Sequence, residues 1–197
     1  NKINGSGAIE LTHSKKLRQL QNIQLAYNPI EKSGKEAWKR FQLMQSFKQL
    51  HRNNRLDQVG KALIGDFGFM VLLDFPFVSE LEVLDLRNNS LTDEAVIALS
   101  HSQKFESLIS LNLSKNNITD AGAKALANSQ NLQGLRVLNL NFNRIGDEGA
   151  KSIAASPSLE KLESLKLGQN KIGVEGARAL NESENLKNLT HPIFGFY

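Results

Sequence analysis

The chain has 197 residues, of which 40% are apolar and 22% charged, proportions that are ordinary for a folded globular protein. It contains no cysteine, which excludes disulfides, thiolate metal sites and a cysteine nucleophile and favours a reducing, cytosolic compartment. Its net charge of +4 is uneven, because residues 1–78 carry 12 Lys/Arg and 6 Asp/Glu, whereas residues 79–197 carry 12 and 14.

A frame of leucines that ends in asparagine, L-x-x-L-x-L-x-x-N-x-[IL], organises the chain. Its clearest copies end at Asn89, Asn116, Asn143 and Asn170, each 27 residues after the last. The alternation of the last two leucines is the two-residue period of a short strand. The asparagine ends that strand with an amide suited to bonding backbone groups of the turn. A fixed period of this length with this frame identifies leucine-rich repeats.

The first two predicted repeats come from extending the frame towards the start of the chain. Asn28 closes a copy that begins at Leu20, which gives a repeat near residues 20–45. Asn1 stands 27 residues before Asn28, so residues 1–19 are predicted to be a partial repeat. We therefore expect the chain to be a fragment of a longer protein.

Residues 46–80 are predicted to form one irregular repeat, because the interval from Asn28 to Asn89 is two periods plus seven residues. The positions of its strand leucines are taken by Ser46, Gln49 and His51. An aromatic insert is then predicted at residues 65–77, with Phe67, Phe69, Phe75 and Phe77. If exposed, these rings form a secondary patch for a partner; if buried, they lengthen a helix or fill a gap.

Four regular repeats are predicted at residues 81–107, 108–134, 135–161 and 162–188, followed by a degenerate copy at 189–197. A helix should follow each asparagine, as in TDAGAKALANS, where Thr119 or Asp120 caps the start. Glycine recurs six residues after the asparagine, at Gly122, Gly149 and Gly176. Because a helix glycine costs about 1 kcal/mol relative to alanine, this recurrence indicates a close approach of two backbones.

The helix strings AGAKALA, EGAKSIA and EGARALN resemble leucine-rich repeats of the ribonuclease-inhibitor class. They also resemble the GALA-type repeats of bacterial effectors, which are translocated into host cells and act on host proteins. The repeat signal covers nearly the whole chain and is weakest at residues 41–78 and 190–197. Residues 1–197 are therefore predicted to form a single leucine-rich-repeat domain. No F-box is found, so the ubiquitin-ligase role of those effectors is not carried over. The expected fold is an α/β right-handed solenoid, or horseshoe, with a parallel β-sheet on the concave side and helices on the convex side.

The residues between the strand leucines should form the concave face. The first row is Gln24, Asp85, Asn112, Asn139 and Lys166; the second is Ala26, Arg87, Ser114, Asn141 and Gly168; the third, at the rim, is Tyr27, Asn88, Lys115, Phe142 and Gln169. Arginine and aromatic residues are frequent binding hot spots. The residues predicted to bind a partner are Tyr27, Asp85, Arg87, Asn112, Lys115, Asn139, Asn141, Phe142 and Lys166. The alternative is that these residues are merely solvated.

The sequence predicts a non-enzymatic, monomeric scaffold that binds a protein partner through the concave face. No nucleophile elbow or phosphate-binding loop is present, and the four histidines fall at different repeat positions, so no catalytic residue, cofactor or metal is expected. Neither a membrane span nor a nucleic-acid-binding motif is found. Two alternatives stay open. Some ribonuclease-inhibitor-like repeats activate small GTPases, and the solenoid ends or the phenylalanines could mediate self-association.

Overall fold

The computed structural model describes residues 3–14, 30–53, 65–190 and 193–194. The chain divides into two compact units, Asn1–Asn54 and Arg55–Tyr197. Several sequence predictions lie outside the described residues: the asparagines Asn1 and Asn28, and the first members of the three rows, Gln24, Ala26 and Tyr27. The prediction of a single domain with the repeat boundaries given above therefore stays a prediction.

The first unit contains helix α1 (Gly5–His13) and helix α2 (Lys32–Arg52), whose first residues are one 27-residue period apart. A Cβ atom added to Gly34 would come within 2.7 Å of the Gly5 Cα atom, so the two helices touch through backbone. This is the close approach that the glycine pattern predicts for the regular repeats. Beside it, Trp38 and Phe41 are buried and their rings stack with centroids 5.2 Å apart.

The strand predicted at residues 46–51 is wrong, because these residues belong to α2, which is 21 residues long. Between Lys32 and Arg52 the sequence contains no proline and no β-branched residue, and it is rich in lysine, glutamine, leucine and arginine. Such side chains lose little rotamer freedom in a helix. Phe41 and Phe47 are buried on the helix, so tertiary packing supports the same outcome.

The second unit repeats a coil of strand, α-helix and 3-10 turn. Its strands are β1 (Val83–Asp85), β2 (Ser110–Asn112), β3 (Val137–Asn139) and β4 (Ser164–Lys166). Its α-helices are α3 (Gly65–Leu73), α4 (Asp93–His101), α5 (Asp120–Ala127), α6 (Asp147–Ala154) and α7 (Val174–Asn181). The 3-10 turns are Pro76–Glu80, Gln103–Phe105, Gln130–Leu132 and Pro157–Leu159. The strands form an open parallel sheet in the order β1-β2-β3-β4, which confirms the predicted α/β solenoid.

One leucine from each strand forms the centre of the core. The parallel register aligns Leu84, Leu111, Leu138 and Leu165, and each is at most 1% exposed. Burying a leucine side chain contributes about 1.5–3 kcal/mol relative to leaving it in water. No coil buries its apolar face alone, so stacking on the neighbouring coils completes the core. The residues on either side of each leucine point away from the core and form the other face of the sheet.

Residues 65–80 form the helical half of a further coil, so the insert predicted at residues 65–77 is wrong. Helix α3 and the turn Pro76–Glu80 hold the places that α4 and its following turn hold one period later. Thr92 donates its backbone N–H and its hydroxyl to Asp66, at 2.8 and 2.7 Å. Thr119 binds Asp93 in the same way, at 2.8 and 2.6 Å.

Three of the four phenylalanines in this segment are core residues. Phe69, Phe75 and Phe77 are 0%, 7% and 4% exposed, and only Phe67 is partly exposed. The Phe69 ring stacks on Phe105 of the next coil, with centroids 6.2 Å apart. Of the two alternatives for this segment, burial therefore applies, and the residues do not form an exposed secondary patch.

The asparagines that mark the period join neighbouring coils through the backbone. Asn143 Oδ1 accepts the backbone N–H of Ile118 at 3.1 Å, in the preceding coil. Its Nδ2 donates to the carbonyls of Leu113 and Leu140, at 3.0 and 2.9 Å. The asparagines one period before and after make the equivalent bonds. Each carboxamide thus fixes its own turn to the preceding coil and holds the strands in register.

Candidate functional site

The side of the sheet that faces away from the helices carries the candidate site, and we call it the sheet face. It comprises four rows, each with one residue from each of the four coils at the same repeat position. The rows are Val83, Ser110, Val137 and Ser164; Asp85, Asn112, Asn139 and Lys166; Arg87, Ser114, Asn141 and Gly168; and Asn88, Lys115, Phe142 and Gln169. The strand register places Asp85, Asn112, Asn139 and Lys166 directly side by side. Eight of the nine predicted partner-binding residues thus lie on one surface, and Tyr27 lies outside the described residues.

The rim of the sheet face is built from residues in the left-handed backbone conformation. Asn88, Lys115, Phe142 and Gln169 have φ values of 56–57°, a region that residues other than glycine rarely occupy. Backbone bonds between coils hold them there: Lys115 N donates to Asn141 O and Phe142 N to Gly168 O, each at 2.9 Å. This backbone fixes the direction of the rim side chains before any partner arrives.

Phe142 is the main apolar group of the rim, and 49% of it is exposed. The Lys115 Nζ atom lies over its ring, 5.5 Å from the centroid, within the range of a cation–π contact. A large aromatic side chain that is left half in water beside a cation is a frequent anchor in protein interfaces.

Asp85 and Arg87 form a hydrogen-bonded ion pair at the β1 end of the sheet face. Arg87 donates to the Asp85 carboxylate from its backbone N at 3.1 Å, from Nε at 2.9 Å and from Nη2 at 2.6 Å. The side chain of Arg87 remains 64% exposed. Because the pair is solvent-exposed, its contribution to stability is small, and its main effect is to occupy the acceptor atoms of Asp85.

The side-chain oxygens of three asparagines on the sheet face accept hydrogen bonds from groups within the protein. Asn112 Oδ1 accepts the backbone N–H of Ser114 at 3.1 Å and its hydroxyl at 2.8 Å. Asn139 Oδ1 accepts the backbone N–H of Asn141 at 3.0 Å. Asn141 Oδ1 accepts the backbone N–H of Gly168, in the next coil, at 2.7 Å. These bonds orient all three carboxamides.

The structure adds one row that the sequence reasoning missed, formed by the residue before each strand leucine. Val83 is 61% exposed and Val137 is 37% exposed, and the register places Ser110 between them. The missed signal was the second x of L-x-x-L, which the strand period also turns outward. Immediately before this row, Arg136 forms an ion pair with Glu163 between neighbouring coils.

Other kinds of site have little support in the described part of the chain. Among those residues there is no group of three or more His, Cys, Asp or Glu side chains suited to a metal ion. In the same residues, no helix has both the length and the apolar character needed to cross a bilayer.

Comparison with known proteins agrees with this architecture. A family model described as "Leucine Rich repeat" matches residues 80–100, 106–127, 132–154 and 158–180. Each match contains one strand of the sheet and most or all of the helix that follows it. No curated protein shows significant sequence similarity to the chain.

Proposed function

Because residues 80–180 make this chain a leucine-rich-repeat protein, we propose that it binds a protein partner through the sheet face. Leucine-rich repeats generally mediate protein–protein interaction, and the family is typically a non-enzymatic scaffold with an extended concave binding surface. The observation that carries the proposal is the exposure of large side chains on a rigid sheet. Phe142, Val83 and Val137 are 49%, 61% and 37% exposed, although apolar side chains of this kind are usually buried.

The backbone around these groups supports binding without a large loss of conformational entropy. The rim is tied from coil to coil by main-chain hydrogen bonds, and the carboxamides of Asn112, Asn139 and Asn141 are oriented by bonds to backbone N–H groups. Preorganised side chains lose less freedom on association, so more of the contact energy is retained as affinity.

Site-specific photocrosslinking tests the proposal. A benzoylphenylalanine at Phe142 replaces a half-exposed ring with a similar ring. A matched probe at Val174, which is 74% exposed at the start of α7, samples the helix layer. In lysate of the source cells, we expect a discrete protein adduct from the probe at Phe142 and none from the probe at Val174. Adducts formed only at Val174, or equally at both positions, would contradict binding by the sheet face.

The finer predictions from the sequence remain proposals. An effector role rests on the GALA-like helix strings, and regulation of a small GTPase rests on the ribonuclease-inhibitor-like class. Self-association was predicted through the solenoid ends or the phenylalanines; the burial of Phe69, Phe75 and Phe77 removes three of those four rings from consideration. Binding through the sheet face is common to the first two roles, so the crosslinking experiment precedes the choice between them.

A further inference from the structure

The three carboxamides at the centre of the sheet face bind their oxygens within the protein and leave their donors open, and this indicates the chemistry of its partner. The inference rests on the proposed function, because it concerns what the same face binds. Asn112, Asn139 and Asn141 each direct Oδ1 at a backbone N–H. Because a backbone N–H only donates, the oxygen rather than the nitrogen must face it. The orientation of each carboxamide is therefore determined.

The side-chain nitrogen atoms of these carboxamides remain available to bind a ligand. Within the described ranges, the Nδ2 atoms of Asn112, Asn139 and Asn141 have no hydrogen-bond partner, and no buried side-chain nitrogen or oxygen lacks one. The three amino groups are therefore accessible to solvent. Each offers two N–H donors to a ligand.

The charged side chains of the sheet face also favour a negatively charged ligand. Lys115 lies over the Phe142 ring and forms no ion pair among the described residues, and neither does Lys166, which aligns with Asn139 in the sheet register. The carboxylate of Asp85 is already bound by three donors of Arg87. Positive charge and donors thus remain open, whereas the one acidic group of these rows is occupied.

We propose that the sheet face takes an acidic polypeptide segment, whose carboxylates accept hydrogen bonds from the three carboxamides and pair with Lys115 and Lys166. Hydrogen bonds to an ionised acceptor are about twice as strong as those between neutral groups. The two lysines belong to the coils of β2 and β4, whose strands are two spacings apart, and Lys115 also lies three residues farther along its coil than Asn112, which aligns with Lys166. At least about 10 Å therefore separates the two lysines. A segment with at least two acidic side chains over that distance satisfies both.

A polypeptide fits the face better than a nucleic acid, which would present a similar array of negative acceptors. Val83, Val137 and Phe142 place exposed apolar surface on the same face, and an acidic segment with interspersed apolar side chains would cover it. Nucleic-acid binding relies on many phosphate contacts, and the two unpaired lysines provide few.

One substitution, at Asn139, replaces an outward-facing donor of the sheet face with an acceptor while keeping the shape of the side chain. Asn139→Asp retains the oxygen that accepts the Asn141 N–H and exchanges the outward amino group for a carboxylate oxygen. The chain already contains this arrangement, because Asp85 occupies the same register position and accepts its own i+2 backbone N–H at 3.1 Å. The variant should therefore fold normally, with a melting temperature close to that of the wild type.

The test uses two double variants with the same change in net charge. Asn139→Asp with Lys166→Glu alters the sheet face, and Asn128→Asp with Lys124→Glu alters the exposed surface of α5 and its C-terminal cap. Random peptides displayed on phage are selected on the wild-type protein and sequenced. The dissociation constants of enriched peptides, and of oligothymidylate, are then measured by fluorescence anisotropy for all three proteins.

We expect the enriched peptides to contain more Asp and Glu than the unselected library. The sheet-face variant should weaken their binding by roughly tenfold or more, as expected when two attractive contacts become repulsive, while the α5 variant binds like the wild type. Peptides that depend on the sheet face but are not acidic would overturn this inference and leave the proposed function intact. If no enriched peptide depends on the sheet face, both fail. Tighter binding of oligothymidylate than of any peptide would assign the face to nucleic acid instead.

Discussion

Asp120 of α5 accepts a hydrogen bond from the backbone of Gly149 in the next coil, at a distance that leaves no room for a side chain on that glycine. Asp120 Oδ1 lies 3.0 Å from Gly149 N and 2.6 Å from Gly146 N. A Cβ atom on Gly149 would approach the same oxygen to 2.6 Å. The neighbouring coils contain the same arrangement, as Asp93 with Gly122 and Asp147 with Gly176. One carboxylate therefore caps the next helix and requires glycine inside it.

Replacing Gly149 by alanine should destabilise the protein despite the higher helix propensity of alanine. The new methyl group would meet Asp120 Oδ1 at 2.6 Å and Ile145 Cγ2 at 2.7 Å, and overpacking of this kind costs about 1–3 kcal/mol. Chemical denaturation measures the change in unfolding free energy. Gly134→Ala is the matched control, because its Cβ would have no neighbour closer than 3.4 Å. Equal stability of the two variants would refute the steric role of Asp120.

Removing the carboxamide of Asn143 should be more costly than an exposed substitution of the same type. Asn143→Ala leaves the N–H of Ile118 without its side-chain partner. It also removes one of two side-chain donors from the carbonyls of Leu113 and Leu140, which Asn116 and Asn170 still bind. A buried polar group that loses its partner costs about 1–3 kcal/mol, so the unfolding free energy should fall by about 1–3 kcal/mol. The exposed Asn128→Ala should change it by no more than about 0.5 kcal/mol. Similar losses of stability for both variants would mean that water replaces the hydrogen bonds of the Asn143 carboxamide.

The two faces of a single strand should respond differently to truncation. Leu138 is fully buried, so Leu138→Ala should lower the unfolding free energy by about 2–5 kcal/mol through lost burial and a cavity. The adjacent Val137 is 37% exposed, and Val137→Ala should leave stability nearly unchanged while weakening partner binding. Thermal melts of both variants measure the change in stability, and anisotropy titrations with the enriched peptides measure the change in binding. A large loss of stability on Val137 truncation would show that this row belongs to the core.

A charge introduced at Phe69 should prevent folding, whereas a charge at Phe142 should not. Phe69 is 0% exposed and stacks on Phe105, and Phe142 is 49% exposed. An unpaired carboxylate in an apolar core is strongly unfavourable. Circular dichroism should therefore show an unfolded or strongly destabilised Phe69→Asp protein and a native-like Phe142→Asp protein. A folded Phe69→Asp variant that lost only partner binding would restore the exposed-patch interpretation of residues 65–77.

The leucine frame was sufficient to predict the strands of the four regular repeats and three of the four outward rows, because both depend on local periodicity. Leu111 and Leu138 are buried and register-matched as the two-residue period requires. The predicted rows place Asp85, Arg87 and Phe142 on the sheet face, and their role in binding stays a prediction.

The segment from residue 46 to residue 80 was misread because its usual markers are missing. Strand leucines are absent around residues 46–51, and the phenylalanines obscure a match in the helix: GDFG at residues 65–68 repeats GDEG at 146–149, three periods later. The helical half of a coil needs a capping carboxylate and a small residue at fixed offsets, so this string was the available signal. The extra length appears instead as the 21-residue helix α2.

The sequence by itself determined the period, the fold class and the side chains that face the core, because alternation and repeat spacing are local properties of the chain. Only the tertiary structure decided which hydrogen-bonding atoms of the sheet face remain open. Asn141 Oδ1 is bound by Gly168 N of the next coil, and Asp85 is occupied by Arg87. These bonds exist only once the coils stack and the turns close. The open donors of the three central carboxamides follow from that geometry, since an asparagine in a sequence is equally a donor and an acceptor.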